Sequence, residues 1–275
     1  MFLRNLTSIL LIILVYLNPA YGAFEEKPAS ARSLSLGDAN TSLCTESSNL
    51  FTNPASLGFI SKKELQLSWS QLYGLKELTS GDFYFSFPLN KQLTLGMGYN
   101  IFGKNDYYTE SLVIIGLGMK MNEYLSAGTN LKYYQLSFPA PYGDHHTAGF
   151  DIGSQLNLKE KVRLGVALKN INQAELIKDS EIIPFSYSLG ISLYPYKNIL
   201  LTADLYKTRD QDEELKFGQE IKPLPGLFLR FGMKPSPACY SLGSGLEIEK
   251  LKFDYGYLSH PTLGGSHKVT LSLDF

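Results

Sequence analysis

From Lys63 to Phe275 the chain places apolar residues at every second position, segment after segment. That spacing puts them on one face of an extended strand. Leu93, Leu95, Met97, Tyr99 and Ile101 alternate with Thr94, Gly96, Gly98 and Asn100. Val162, Leu164, Val166 and Leu168 face away from Arg163, Gly165, Ala167 and Lys169, and Leu251, Phe253, Tyr255 and Tyr257 from Lys252, Asp254 and Gly256. Leu112 to Met119 is apolar at both parities and fits the pattern least. Such segments number about fourteen. They are expected near 63–71, 80–88, 91–103, 107–119, 123–135, 145–158, 160–170, 182–193, 197–208, 212–221, 225–234, 239–248, 250–258 and 267–275. An even number suits an antiparallel barrel with both ends on one side.

The connections alternate in length. Short turns are expected at Asn90, Met121-Asn122, Lys159, Tyr194-Pro195-Tyr196, Lys222-Pro223-Leu224 and Glu249, with longer links between them, such as Leu72–Thr79, Phe138–His145, Ile171–Glu181 and Ser236–Ala238. Outer-membrane barrels are built this way, with tight turns at one rim and larger loops at the other. A soluble β-protein would turn the apolar face inward but would leave that alternation unexplained. In hydrocarbon, unpaired backbone groups force closure of the sheet. Val269, Leu271, Leu273 and the final Phe275 form an apolar row ending in an aromatic, as outer-membrane barrels do. The expected fold is therefore all-β: a transmembrane antiparallel barrel over residues 63–275, with outer-membrane lipid around it.

Residues 1–23 read as a secretory signal, with Arg4, the apolar run Leu10 to Leu17 and small residues that allow cleavage after Gly22 or Ala23. The localisation this implies is the bacterial outer membrane. That compartment permits a disulfide between Cys44 and Cys239, but two cysteines so far apart in sequence do not make a framework. A net charge of −1 gives no support for a nucleic-acid partner.

The row opposite the apolar one is rich in Gly, Ser and Thr and leaves room in a lumen. Its charges, Asp151, Arg163, Asp204, Arg230, Glu247, Lys252 and Asp254, are of mixed sign and suit a wet interior or contact with an internal segment. Tyr84, Tyr134, Tyr206 and Phe228, with Arg163 and Arg230, are candidates to line a path. An enzyme is not expected. No Gly-x-Ser-x-Gly elbow, phosphate-binding Gly loop or CxxC pair is present, and His145, His146 and His260 fall in or beside predicted loops. Adjacent His145 and His146 would point to opposite faces of a strand. No catalytic residue, metal site or cofactor is assigned.

Residues 24–62 are too polar for a wall strand and too long for a lead-in. Within them stand Ala31-Arg32, Leu36-Gly37, Ala39, Asn53-Pro54-Ala55 and Leu57-Gly58. This pattern resembles the N-terminal motif of PorV/PorQ-type proteins, within the FadL-like (long-chain fatty acid transporter) group. Asp38, where the family often has a small residue, and Ser56, where Gly often follows, depart from it. The resemblance implies a fourteen-stranded barrel whose segment 24–62 folds inside as a hatch. Arg32, Gly37, Asn53, Pro54 and Ala55 then serve structure: Asn53-Pro54-Ala55 as the turn where the hatch feeds the first strand, and Arg32 either paired with an inward charge or solvated. It implies a conduit for small hydrophobic or amphipathic molecules, or else a non-enzymatic accessory that holds the proteins of a type IX-like secretion system.

Overall fold

The computed structural model describes residues 22–104, 107–158, 161–178, 181–209 and 211–275. The leader expected at 1–23 falls almost wholly outside them. In chain order the strands are β1 (Glu64–Gln71), β2 (Thr79–Pro88), β3 (Leu93–Lys104), β4 (Tyr108–Lys120), β5 (Leu125–Ser137), β6 (Asp144–Leu158), β7 (Val162–Lys169), β8 (Glu175–Ile177), β9 (Glu181–Ile182), β10 (Ser186–Tyr196), β11 (Ile199–Thr208), β12 (Glu214–Leu224), β13 (Leu227–Pro235), β14 (Ala238–Ile248), β15 (Leu251–His260) and β16 (Gly264–Asp274). Among the described residues, fourteen of these close into one barrel in which β1 meets β16, while β8 and β9 form a hairpin of their own. Every pairing in the wall is antiparallel, including the closing one, where Trp69 stands opposite Val269. Beyond β16, the Phe275 amide donates to the Lys63 carbonyl, and its ring stacks on Phe85 at 6.2 Å. Both ends of the wall therefore lie at the rim of short turns.

The period-two rows resolve into an outside and an inside. Leu131 is 56% exposed, whereas Lys132, the next residue, is 3% exposed. Along β3, Met97 and Tyr99 face out, while Thr94 is buried. Apolar outside and polar inside is the reverse of a water-soluble globule, and it is the arrangement hydrocarbon selects. Among the described residues, no helix is long and apolar enough to cross a membrane.

The structure corrects the expected segments in three places. Tyr194-Pro195-Tyr196 and Lys222-Pro223-Leu224 are not turns. They lie within β10 and β12, where the register shifts between Leu193 and Tyr196 and between Ile221 and Leu224. A proline has no amide for the ladder and is accommodated at such irregularities, so the strands run on past it. The turns fall just after, at 197–198 and 225–226. Second, the contrast of link lengths is not uniform, because 236–237 and 261–263 are as short as the turns of the opposite rim. Third, Leu112 and Ile114 are apolar on the inner face because they are core. They cluster with Leu50 and Leu57 of the N-terminal region and with Leu176 and Ile183 of the hairpin region.

Candidate functional site

The lumen is occupied by the chain's own N-terminal region. Ser30 caps α1 (Ala31–Ser35) by accepting a hydrogen bond from the Ser33 amide. A second short helix, α2 (Asn49–Thr52), leads into a 3-10 turn over Pro54–Phe59. Isolated helices this short do not persist in water, so these are held by the wall. The segment travels around its inner face. Ala31 N donates to Thr270 on β16 at 2.8 Å, and Gly37 N to Ser241 on β14 at 3.1 Å. Thr202 on β11 donates to the Ala39 carbonyl at 2.9 Å. Gln155 on β6 donates to the Thr41 and Leu43 carbonyls, and Asn130 on β5 to that of Leu50 at 2.9 Å.

The motif residues are the anchors of this path. Gly37 has φ of 64°, the left-handed region open to glycine, and a Cβ there would lie 2.7 Å from the Phe217 carbonyl oxygen. Asp38, the departure from the family pattern, is also at positive φ and makes an ion pair with Lys216 at 2.9 Å while accepting from Ser33 at 2.6 Å. Asn53 is fully buried. Its Oδ1 accepts from the Ala55 amide at 3.0 Å, and its Nδ2 donates to the Thr41 carbonyl at 2.9 Å. Pro54 and Ala55 lie against Gly128, where a Cβ would run into the Pro54 carbonyl group. Asn53-Pro54-Ala55 is thus a buried clamp across the segment, not the corner that feeds β1. The path to β1 runs through Ile60–Lys63, beyond the 3-10 turn.

Arg32 meets Glu220, which is not among the seven inward charges expected to face it. Its Nε and Nη2 donate to the two carboxylate oxygens at 2.7 and 2.9 Å. Arg230 Nε donates to the same carboxylate at 2.6 Å, and Arg230 Nη1 reaches Asp254 at 2.6 Å. Lys252 closes the cluster on Glu46 of the inner segment at 3.1 Å. Each charge is compensated within the cluster, as burial requires. Glu247, by contrast, is exposed at the short-turn rim.

Between the inner segment and the rim of longer links lies a cavity of about 450 Å³. Residues 22–27 form one side, and Ile182, Ile183 and Pro184 of the hairpin region form another. Tyr134 and Tyr206 line it; Tyr84, Phe228, Arg163 and Arg230 do not. Tyr84 is buried in the wall beside Asn100, which donates to its hydroxyl at 2.6 Å. Phe228 and Arg163 lie near the opposite rim, Phe228 with the Lys222, Arg230 and Lys252 cations 5.0 to 5.5 Å from its ring centre and Arg163 with its guanidinium donating to the Tyr194 hydroxyl at 3.2 Å.

The cavity also holds residues that the alternation alone does not single out. Phe24 meets Tyr134 edge-on at 4.9 Å. The Lys132 and Lys169 ammonium groups each lie 5.2 Å from the Phe51 ring centre. Lys27 covers Phe102 at 3.8 Å and Lys216 covers Tyr206 at 4.4 Å. These cations are also paired with carboxylates: Lys27 with Glu110 at 3.0 Å, Lys132 with Asp151 and Lys169 with Glu26, both at 2.7 Å. Partial desolvation at the edge of the cavity raises the Glu25 carboxyl above its ordinary value; Lys27 pulls against this, and Glu110 and Glu214 add to it. Aromatic faces set among neutralised charges can receive an apolar or weakly polar body and orient it through cation–π and edge contacts. The signal for the lysines was present: Lys132 shares the inward parity of Tyr134, and Lys216 that of Glu220. Among the described residues no His, Cys, Asp and Glu cluster fits a metal ion, and Cys44 and Cys239 are both free, buried thiols.

No protein-family profile matches the chain, and no curated protein sequence matches it. Solved structures do. The P. putida toluene transporter TodX superposes with a TM-score of 0.69 at 13% identity, covering 90% of this chain and 98% of that one. The Ralstonia pickettii toluene transporter TbuX gives 0.66 at 11% identity over 92% of this chain and 98% of its own. A Pseudomonas aeruginosa FadL homologue gives 0.64 at 13% identity, over 92% and 99%. At such identity the likeness is one of fold: the closed barrel is of the type found in FadL-like channels. Two of these neighbours are described as transporters, none as an enzyme.

Proposed function

We propose that this protein is an outer-membrane conduit for small hydrophobic or amphipathic molecules, that residues 24–62 are its hatch, and that the cavity beneath the longer links is its receiving site. One observation carries the reading. The barrel turns apolar residues outward and holds a cavity that combines Phe24, Phe51, Phe102, Tyr134 and Tyr206 with paired charges. A bilayer-embedded wall with a recess of that lining at one rim is suited to take an apolar solute from water. TodX and TbuX, named for toluene, make a monoaromatic hydrocarbon the first probe to try.

The test is toluene uptake by vesicles carrying the purified protein. Wild-type barrels should accelerate uptake over protein-free vesicles. Ser186→Trp, which sets an indole into the cavity from a buried inward position, should return uptake to background. If correctly inserted wild-type barrels add nothing for toluene or for a longer amphiphile such as a fatty acid, the conduit reading fails.

The finer kinship with PorV/PorQ proteins rests on Ala31-Arg32, Leu36-Gly37 and Asn53-Pro54-Ala55. The accessory role in secretion that it suggests would appear as stoichiometric co-purification with secretion components and no uptake.

A further inference from the structure

We propose that the leader is removed at the Gly22–Ala23 bond and that the ammonium so created on Ala23 docks on Glu181 at the mouth of the lumen. This rests on the proposed export to the outer membrane but not on transport. The sequence around the bond favours that cut. Cleavage after Gly22 places Ala20 and Gly22 at the two positions where a signal peptidase accepts small residues; cleavage after Ala23 places Tyr21 at the first of them. The geometry makes the same choice independently. The Ala23 nitrogen donates to Glu181 Oε1 at 2.7 Å, and a Cβ added to Gly22 would lie 2.8 Å from that oxygen. The carboxylate therefore sits at the scissile junction.

In the uncut chain Ala23 offers one neutral amide proton. Hydrolysis adds water across the peptide bond: Gly22 keeps the carbonyl carbon and departs as a carboxylate, while Ala23 keeps the nitrogen as an amine. With an ordinary pKa of about 7.7–8.0 that amine takes up a proton at neutral pH. Three charged donors then face a carboxylate, a stronger contact than the amide makes. Residues 24–27 hold the nitrogen in place. Phe24 packs edge-on against Tyr134, Glu26 pairs with Lys169 at 2.7 Å, and Lys27 with Glu110 at 3.0 Å. Anchored at every position but Glu25, residues 23–27 form a strap along one side of the cavity, and processing completes its first tie.

Intact mass and N-terminal sequencing of protein extracted from outer membranes should give Ala23 as the first residue. A start at Phe24, at any other residue, or at Met1 overturns the proposal. The docking has its own measurement. With an amine-acylating reagent, the pH dependence of α-amine labelling in the folded wild-type barrel should place its pKa above the about 7.7–8.0 of a free terminus. In Glu181→Gln, labelling at neutral pH should rise roughly tenfold, the effect of one pKa unit on the free-base fraction, with surface lysines as the internal reference. An ordinary pKa in wild type, or equal rates in the two proteins, overturns the ion pair. Neither readout depends on whether toluene passes, so a failure of the conduit leaves both results interpretable.

Discussion

At the scale of single residues, the outward parity and the inward parity carry different physics. Leu201 is 39% exposed on the outer face, between the short-turn rim and mid-strand. An arginine there would meet hydrocarbon at a cost between the about 0–1 kcal/mol of the interface and the about 2–4 kcal/mol of the bilayer midplane. Thr208 faces the cavity, where a guanidinium can find water or a carboxylate. Leu201→Arg should therefore lower the yield of folded, heat-modifiable barrel well below that of Thr208→Arg; equal yields would contradict the assigned faces. The neighbouring Thr202 would be the wrong comparison, because it lies under the inner segment, donating to the Ala39 carbonyl, and is outside the cavity that could take a larger side chain. That difference marks how far the sequence could be read. Period two tells which way Thr202 points, since the pleat dictates it, but not that the lumen is filled at that height. Arg32 teaches the same lesson: its inward partner was foreseeable as a type, yet Glu220 is far along the chain and only three-dimensional closure brings them together. Glu220 stands between two guanidiniums at 2.7 and 2.6 Å. Glu220→Gln removes the one formal charge both share, and the loss should approach the roughly 3–5 kcal/mol of a broken buried pair. A urea midpoint in detergent equal to wild type would show that water compensates the arginines already.

At the scale of elements, the facing of the strands was legible because a one-step slip would turn every side chain to the wrong face, while their ends are legible only to within about four residues, as where the expected 182–193 is β10 at Ser186–Tyr196. The prolines of β10 and β12 carry the local chemistry of turns, but the ladder continues past them with a shift in register. The Asn53-Pro54-Ala55 clamp was recognisable as a turn, but its depth was not, because burial there is conferred by Gly128 and Gly153 of the wall. Gly128 is a place to test that packing. A Cβ would run into the Pro54 carbonyl and the Ala55 amide, while valine suits a strand and leaves the wall intact. Gly128→Val should loosen the inner segment without unfolding the barrel, seen as new protease cleavage within residues 48–60 and as bursts of conductance in planar bilayers. Gly81→Val is the control, since its Cβ would meet only Ile101 Cγ2, at 3.5 Å. If Gly128→Val is as closed and as resistant as Gly81→Val, the segment tolerates displacement at its clamp and the glycine has another reason.

At the scale of the whole molecule, the fold has two parts with different sources of stability. The wall is closed by β1 on β16, so its backbone groups are paired between strands and need nothing from the lumen. The inner segment depends on the wall for its core contacts, Leu36 and Leu43 with Leu200, and Leu50 and Leu57 with Leu112 and Ile114. It also supplies partners to wall charges: Asp38 to Lys216, the Thr41 amide to Asp204, Glu46 to Lys252. Removing residues 24–52 would strip these partners, which in a dry core would be ruinous. Here the space they leave opens to water, and hydration replaces the lost ion pairs, so the charges are exposed rather than stranded. The truncated barrel should therefore insert and run as a heat-modifiable band, and its conductance should rise from near zero to a steady pore, since Asn53 loses the Thr41 carbonyl and the residues that remain pack along β3 to β6, leaving the rest of the lumen open. A barrel that inserts and still conducts nothing would mean that the segment is not the plug. A chain that fails to insert at all would mean that the inner segment is part of the folding core, and that its buried ion pairs are needed before the wall can close.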